Sequence, residues 1–274
     1  MPELPEVETV KETLKQKLVG KKITDVQVLY PSIVASPTIL EFQKRMIGQT
    51  IRDMKRRGKW LIFILDEDAL ISHLRMEGKY FFRTKEDVIT KHEHVIFTLD
   101  HNVELRYQDT RKFGRMYLVK KEDLDTTKPL IDLGLEPWDH ALTVSYLKTC
   151  YQKKSLPIKS VLLDQSIITG IGNIYADEIL YLCKLNPMKK AKDLTEHDLK
   201  QIIHYTKEVL ELAIKAGGTT IRSYTSSEGV TGRFQHELYV HGKVGEMCKC
   251  CHTTILKTKV GGRGTYYCPT CQKS

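Results

Sequence analysis

The chain opens Met1-Pro2-Glu3-Leu4-Pro5-Glu6. Removal of Met1 would leave Pro2 with a free secondary amine. Such an amine attacks carbonyl carbons and forms an iminium, a positively charged electron sink. Glu3 and Glu6 follow at once, and a carboxyl beside the amine can move the protons this chemistry needs. A plainer reading is also open: a small second residue favours methionine removal, and Pro5 and the acids start a helix. At the other end, Cys248-x-x-Cys251 and Cys268-x-x-Cys271 form two knuckles at the interval of a tetrathiolate zinc site. Cys250 lies inside the first knuckle with a poorer spacing. Cys150 and Cys183 fall in helical patterns and read as core thiols. With seven cysteines and no export signal, a disulfide framework is not expected.

Further segments stand out along the chain. Leu163–Glu178 contains Gly170-Ile171-Gly172-Asn173-Ile174-Tyr175, a tight double turn with Asn173 expected as the cap of the next helix. A helix N-terminus of this kind is a phosphate site, although an ordinary helical hairpin would also use such a turn. Arg263, flanked by Gly261, Gly262 and Gly264, is expected at a hairpin tip where it could fork onto a phosphate. Arg57-Gly58-Lys59, His73-Leu74-Arg75-Met76-Glu77-Gly78 and Arg106–Gly114 end strands in polar turns. Met76 and Phe113 read as core on residue type alone. His92-Glu93-His94 has the look of a metal pair, but its spacing suits a strand and no metal is assigned there. The polar, glycine-rich run from Gly217 to His236 is long enough to be either functional or disordered.

These residues must be positioned by a chain of 274 residues with net charge +9, pI about 9.0, 41% hydrophobic and 28% charged residues. Its basic residues are spread along the chain, which suits either solubility or a polyanion partner. No apolar run reaches membrane-spanning length, and acids precede any basic or apolar stretch, so a cytoplasmic protein is expected. Val7, Val10, Leu14 and Leu18 predict a first helix ended by Gly20. Eight short β-rich runs follow, at 23–30, 50–57, 60–65, 69–74, 80–83, 94–99, 103–107 and 116–119, and predict an antiparallel sandwich or flattened barrel with 60–65 central. After Thr143 the pattern is helical: 144–151, 158–165, 174–185 and 198–216. The fold class is therefore α+β. The expected division is a β-sandwich domain at 1–133, a linker at 134–143, a helical domain at 144–235 and a zinc ribbon at 236–274.

Taken together, the N-terminus, the Gly-x-Gly-Asn segment, the Arg263 hairpin and the paired cysteines resemble the bacterial formamidopyrimidine-DNA glycosylases, the 8-oxoguanine repair enzymes, over essentially the whole chain. The resemblance implies a helix–two-turn–helix domain and a bifunctional glycosylase/AP lyase acting on duplex DNA as a monomer, with one structural zinc on Cys248, Cys251, Cys268 and Cys271. It implies Pro2 as nucleophile, Glu3 as proton donor and Glu6 as orienter of the N-terminus. Lys59, Arg263, His73, His92, Lys159 and Asn173 would contact DNA phosphates. Met76 would fill the gap left by the everted base, Arg111 would pair with the orphaned cytosine and Phe113 would wedge into the stack. Glu77, Thr219 and Tyr239 are the implied base readers, beneath a lid formed by the Gly217–His236 loop. Glu3-Leu4-Pro5-Glu6 favours this branch over the endonuclease VIII branch, which prefers oxidised pyrimidines. One departure is Asp109-Thr110-Arg111, where the family often has Asp-Pro-Arg. The rival from another class is a non-catalytic zinc-ribbon DNA-binding protein that keeps Met1.

Overall fold

The computed structural model describes residues 1–219 and 232–273. The chain divides into two compact units, Met1–Ile131 with Gly217–Gly232, and Asp132–Ala216 with Arg233–Ser274. No helix among the described residues is long and apolar enough to cross a membrane.

The first unit begins with α1 (Leu4–Leu18). Glu3 is its N-cap, and Pro5 stands in the first turn, where a missing N–H costs nothing. Leu4, Val7, Val10, Leu14 and Leu18 are buried along one face. Nine strands then build two sheets. One runs β1 (Ile23–Val28), β7 (Glu93–Leu99), β8 (Val103–Gln108), β6 (Lys79–Thr84) in spatial order, all antiparallel. The other runs β2 (Val34–Ser36), β9 (Arg115–Lys120), β5 (Asp68–His73), β4 (Trp60–Ile64), β3 (Asp53–Arg57). A single cluster joins them: Val26, Phe97, Leu105 and Tyr107 from one sheet meet Leu61, Phe63, Leu70 and Leu118 from the other, with α1 packed on it.

All eight predicted strands are present. The strand Trp60–Ile64 is buried on both faces as its composition predicts, but the centre of its sheet is β5, which is equally buried. Two elements escaped the sequence. The strand β2 is three residues long and pairs in parallel with β9. The helix α2 (Ile39–Met46) is capped by Thr38 and buries only Phe42 and Met46, too few positions to show a period.

The second unit holds α3 (Val144–Tyr151), α4 (Ile158–Leu162), α5 (Asn173–Leu182) and α6 (Glu196–Lys215), then the hairpin of β10 (Leu256–Val260) and β11 (Arg263–Tyr267). Thr195 and Asp198 form a capping box at the start of α6, which buries Leu199, Ile202, Val209, Leu210 and Ala213 at helical spacing. Gly134 and Leu135, expected in a linker, belong to this unit: their N–H groups donate to the carbonyls of Gln165 (2.8 Å) and Ile167 (3.0 Å).

Candidate DNA-repair active site and zinc centre

In the first unit the chain's amino group lies in the field of Glu3, Glu6, Lys59 and Glu77, and burial, the largest influence, draws its pKa below the ordinary value. A depressed pKa favours the uncharged form of this Met1 amine. Met1 precedes Pro2, so the Pro2 nitrogen is an amide in this form. Glu3 and Glu6 are both buried (2% and 3% exposed). The Glu3 N–H donates at 2.8 Å to Oε2 of Glu6, whose side chain reaches back from the first turn of α1. Glu6 Oε1 accepts both the N–H (2.8 Å) and the Oγ1 hydroxyl (3.0 Å) of Thr219. Thr219, expected as a base reader, is therefore engaged by Glu6. The other expected reader in this unit, Glu77, is half-buried beside Met76 in the turn after β5.

Lys59 follows Gly58 (φ +56°) in the β3–β4 turn and is 5% exposed. His73, at the end of β5, is held down to a pKa of about 3 by burial, with Arg75 and Lys59 adding to the effect. Its Nδ1 accepts the Arg75 N–H at 2.9 Å, and its ring meets Trp60 edge-on at 4.5 Å. His73 is thus neutral at physiological pH, with its proton on Nε2 as a fixed donor, instead of a cation.

The Arg106–Gly114 segment is organised by a residue to which the sequence gave no role. Asp109 is wholly buried, and its carboxylate accepts the N–H groups of Arg111 (3.0 Å), Phe113 (2.9 Å) and Gly114 (2.8 Å). This supplies the rigidity that a proline at position 110 would otherwise give. The exposed Arg111 guanidinium lies over the half-exposed Phe113 ring at 4.8 Å. His94 Nε2 bonds the Asp109 carbonyl at 2.8 Å, and the His92 carbonyl accepts the Asp109 N–H at 2.9 Å. Among the described residues His92 and His94 fall in no group of ligand atoms close enough together to hold a metal ion.

In the second unit the double turn is stapled by Gln165, whose Oε1 accepts the Gly170 N–H (2.9 Å) and whose Nε2 donates to the Ile171 carbonyl (2.9 Å). The N-cap of α5 is Gly172, and Asn173 is the first helical residue, a correction of one position. Asn173 Nδ2 donates to the Gly264 carbonyl at 2.9 Å. A second correction concerns Lys159. It is fully buried, and its Nζ donates to Asp177 Oδ1 (2.6 Å) and to the same Gly264 carbonyl (2.9 Å). Its charge is neutralised inside the protein and is not offered to a phosphate. Asp177 Oδ2 also bonds His241 Nδ1 at 2.7 Å. Both Lys159 and Asn173 therefore hold the β10–β11 hairpin one residue from Arg263, which is exposed at its tip.

Tyr239 stacks on Tyr181 (5.2 Å, 22°), and its N–H donates to buried Glu178, which also accepts the N–H groups of Val240 and His241. The Tyr181 hydroxyl reaches Cys248 Sγ at 3.3 Å. The sulfur atoms of Cys248, Cys251, Cys268 and Cys271 lie within 4.8 Å of one another. Sulfurs at the corners of a Zn–S tetrahedron stand about 3.8 Å apart, and Cys248–Cys271 (3.8 Å) and Cys251–Cys268 (3.4 Å) match that edge. The four residues fit zinc, and Cys250 is exposed outside the cluster.

Comparison with known proteins agrees with this geometry along the chain. Residues 1–116 match the formamidopyrimidine-DNA glycosylase N-terminal domain, residues 133–225 its H2TH domain, and residues 245–273 the zinc finger found in FPG and IleRS. A formamidopyrimidine-DNA glycosylase of Oceanobacillus iheyensis is 47% identical over 273 residues, covering 99% of this chain and 98% of the relative. A mutant Lactococcus lactis FPG in complex with a Fapy-dG containing DNA superposes with a TM-score of 0.93 at 40% identity, covering 100% of both chains. The Lactococcus lactis Fpg complex with an abasic site containing DNA gives 0.92 at 40% identity, covering 99% of this chain and 100% of the other. The chain belongs to the formamidopyrimidine-DNA glycosylase family.

Proposed function

We propose that this chain excises oxidised purines, 8-oxoguanine and formamidopyrimidines, from duplex DNA and cuts the strand on both sides of the lesion, with the Pro2 amine as nucleophile. Family membership makes it a DNA glycosylase of damaged bases; the residue roles are our reading. Removal of Met1 exposes the Pro2 secondary amine. The amine bonds to the anomeric carbon of the everted nucleotide as the bond to the base breaks. Glu3 protonates the opening sugar, leaving an iminium at the former anomeric carbon. The iminium acidifies the adjacent carbon, so loss of its proton expels one phosphate; loss of a second proton from the conjugated iminium so formed expels the other. Glu6 holds the N-terminus. Lys59, His73, His92, Asn173 and Arg263 serve the phosphates. Met76, Arg111 and Phe113 occupy the space the lesion vacates, and Glu77 and Tyr239 serve the base.

Zinc on the four thiolates closes the ribbon and, with no open coordination position, takes no part in the reaction. We assign the chemistry to 1–133, DNA grip to 144–235 and 236–274, and read the protein as a cytoplasmic monomer. The supporting observation is the buried start of the chain: Pro2, Glu3 and Glu6 are all buried, and Glu6 accepts the Glu3 N–H at 2.8 Å.

Borohydride trapping tests the reading. Protein with an authentic Pro2 terminus should form a stoichiometric covalent adduct with an 8-oxoguanine duplex. No adduct from that protein would refute the mechanism and favour a non-catalytic DNA-binding role. A parallel duplex with an oxidised pyrimidine tests the endonuclease VIII-like alternative, which predicts faster trapping there.

A further inference from the structure

We propose that Thr219 is a positioning residue for the catalytic N-terminus, acting through Glu6, and not a reader of the base; this rests on the function proposed above. Glu6 is three residues into the chain's acidic start and has a divided carboxylate. Oε2 takes the backbone N–H of Glu3 at 2.8 Å. Oε1 takes two donors from one residue, the Thr219 N–H at 2.8 Å and its Oγ1 at 3.0 Å. Thr219 is 4% exposed, so its hydroxyl is buried against this acceptor.

The approach is also sterically prepared. Gly218 has φ +79°, and a Cβ there would come within 2.8 Å of Glu6 Oε1 and 3.0 Å of its Cγ. The carboxylate passes against bare backbone that any other residue would obstruct. A carboxylate bonded on both oxygens has its rotamer fixed, and here one end fixes the Glu3 main chain, whose neighbour is Pro2. Hydrogen bonds to a charged acceptor are the stronger kind, and losing a donor from a buried one is costly. The contact spans 213 positions of sequence. The seating of Thr219 is thereby coupled to the aim of the amine and of Glu3.

The measurement is single-turnover borohydride trapping on two duplexes, one with 8-oxoguanine and one with an abasic site that carries no base to read. Binding to an uncleavable abasic analogue is followed in parallel. Thr219→Val removes the hydroxyl and keeps the backbone donor, whereas Thr219→Ser restores the hydroxyl. Loss of one charge-assisted hydrogen bond should slow trapping by Thr219→Val roughly tenfold on both duplexes, with affinity held within about twofold and Thr219→Ser back near the wild-type rate. Slowing confined to the 8-oxoguanine duplex would make Thr219 a base reader and overturn the inference. So would a Thr219→Ser variant as slow as Thr219→Val, since packing of the methyl group would then be the cause. A wild-type protein inert on both duplexes would instead sink the proposed function, and this coupling with it.

Discussion

Lys159 Nζ lies 2.6 Å from Asp177 Oδ1, and neither side chain reaches solvent. A buried ion pair is a weak source of net stability, because desolvation offsets the attraction, but removing one partner strands the other. Lys159→Met should therefore lower stability by about 3–5 kcal/mol, measured by denaturant unfolding. The double variant Lys159→Met/Asp177→Leu should recover only part of that loss, because Asp177 also holds His241 Nδ1, and should still bind DNA poorly, because the Gly264 carbonyl has lost its lysine donor.

Glu3→Gln should release base at least a hundredfold more slowly, the usual scale for losing a general acid, while retaining duplex affinity. Gel-shift and excision assays on the same preparation separate the two effects. Normal turnover by this variant would remove Glu3 from its assigned role.

His73 gives the protein a pH dependence of stability with a definite sign. Its pKa falls from the ordinary 6.5 to about 3 on folding, so between those values the unfolded chain binds the extra proton. Stability is full above the unfolded value and declines as pH drops through the window, by up to about 1.4 kcal/mol per pH unit from this residue. Urea unfolding between pH 7 and 5, above most carboxylate titration, should show a steeper decline for wild type than for His73→Asn. Parallel slopes would contradict the assignment.

Asp109→Asn should loosen the loop that carries Arg111 and Phe113. The amide keeps one acceptor oxygen where the carboxylate serves three backbone donors. The expected loss is about 2 kcal/mol in stability, together with weaker discrimination of the base opposite the lesion in excision assays.

Removing zinc should unfold the ribbon selectively. Chelation, or Cys251→Ser, should abolish binding to duplex DNA while most of the β-sheet circular dichroism persists, because the first unit has its own core. Binding that survives verified metal loss would show that the ribbon is dispensable.

The strands, the principal helices and the cysteine knuckles were legible because each is a local pattern. Alternation, helical spacing and Cys-x-x-Cys all lie within a few residues. What the sequence hid were the partners. Lys159 stands as an implied phosphate contact until Asp177, 18 positions on, is folded against it. Thr219 reads as part of a polar loop until Glu6 claims it. Asp109 stands in plain view, yet a carboxylate bent back onto three following amides leaves no periodic trace. Asn173 fell one position from the cap because Gly172 takes the extended conformation that precedes the helix.

The carbonyl of Gly264, gripped at once by Lys159 and Asn173, separates two properties of the ribbon. Its four sulfurs are local, so a transplanted ribbon would still load its ion. The direction in which the guanidinium at its tip points is borrowed from the helices, and in a foreign host that aim would be lost.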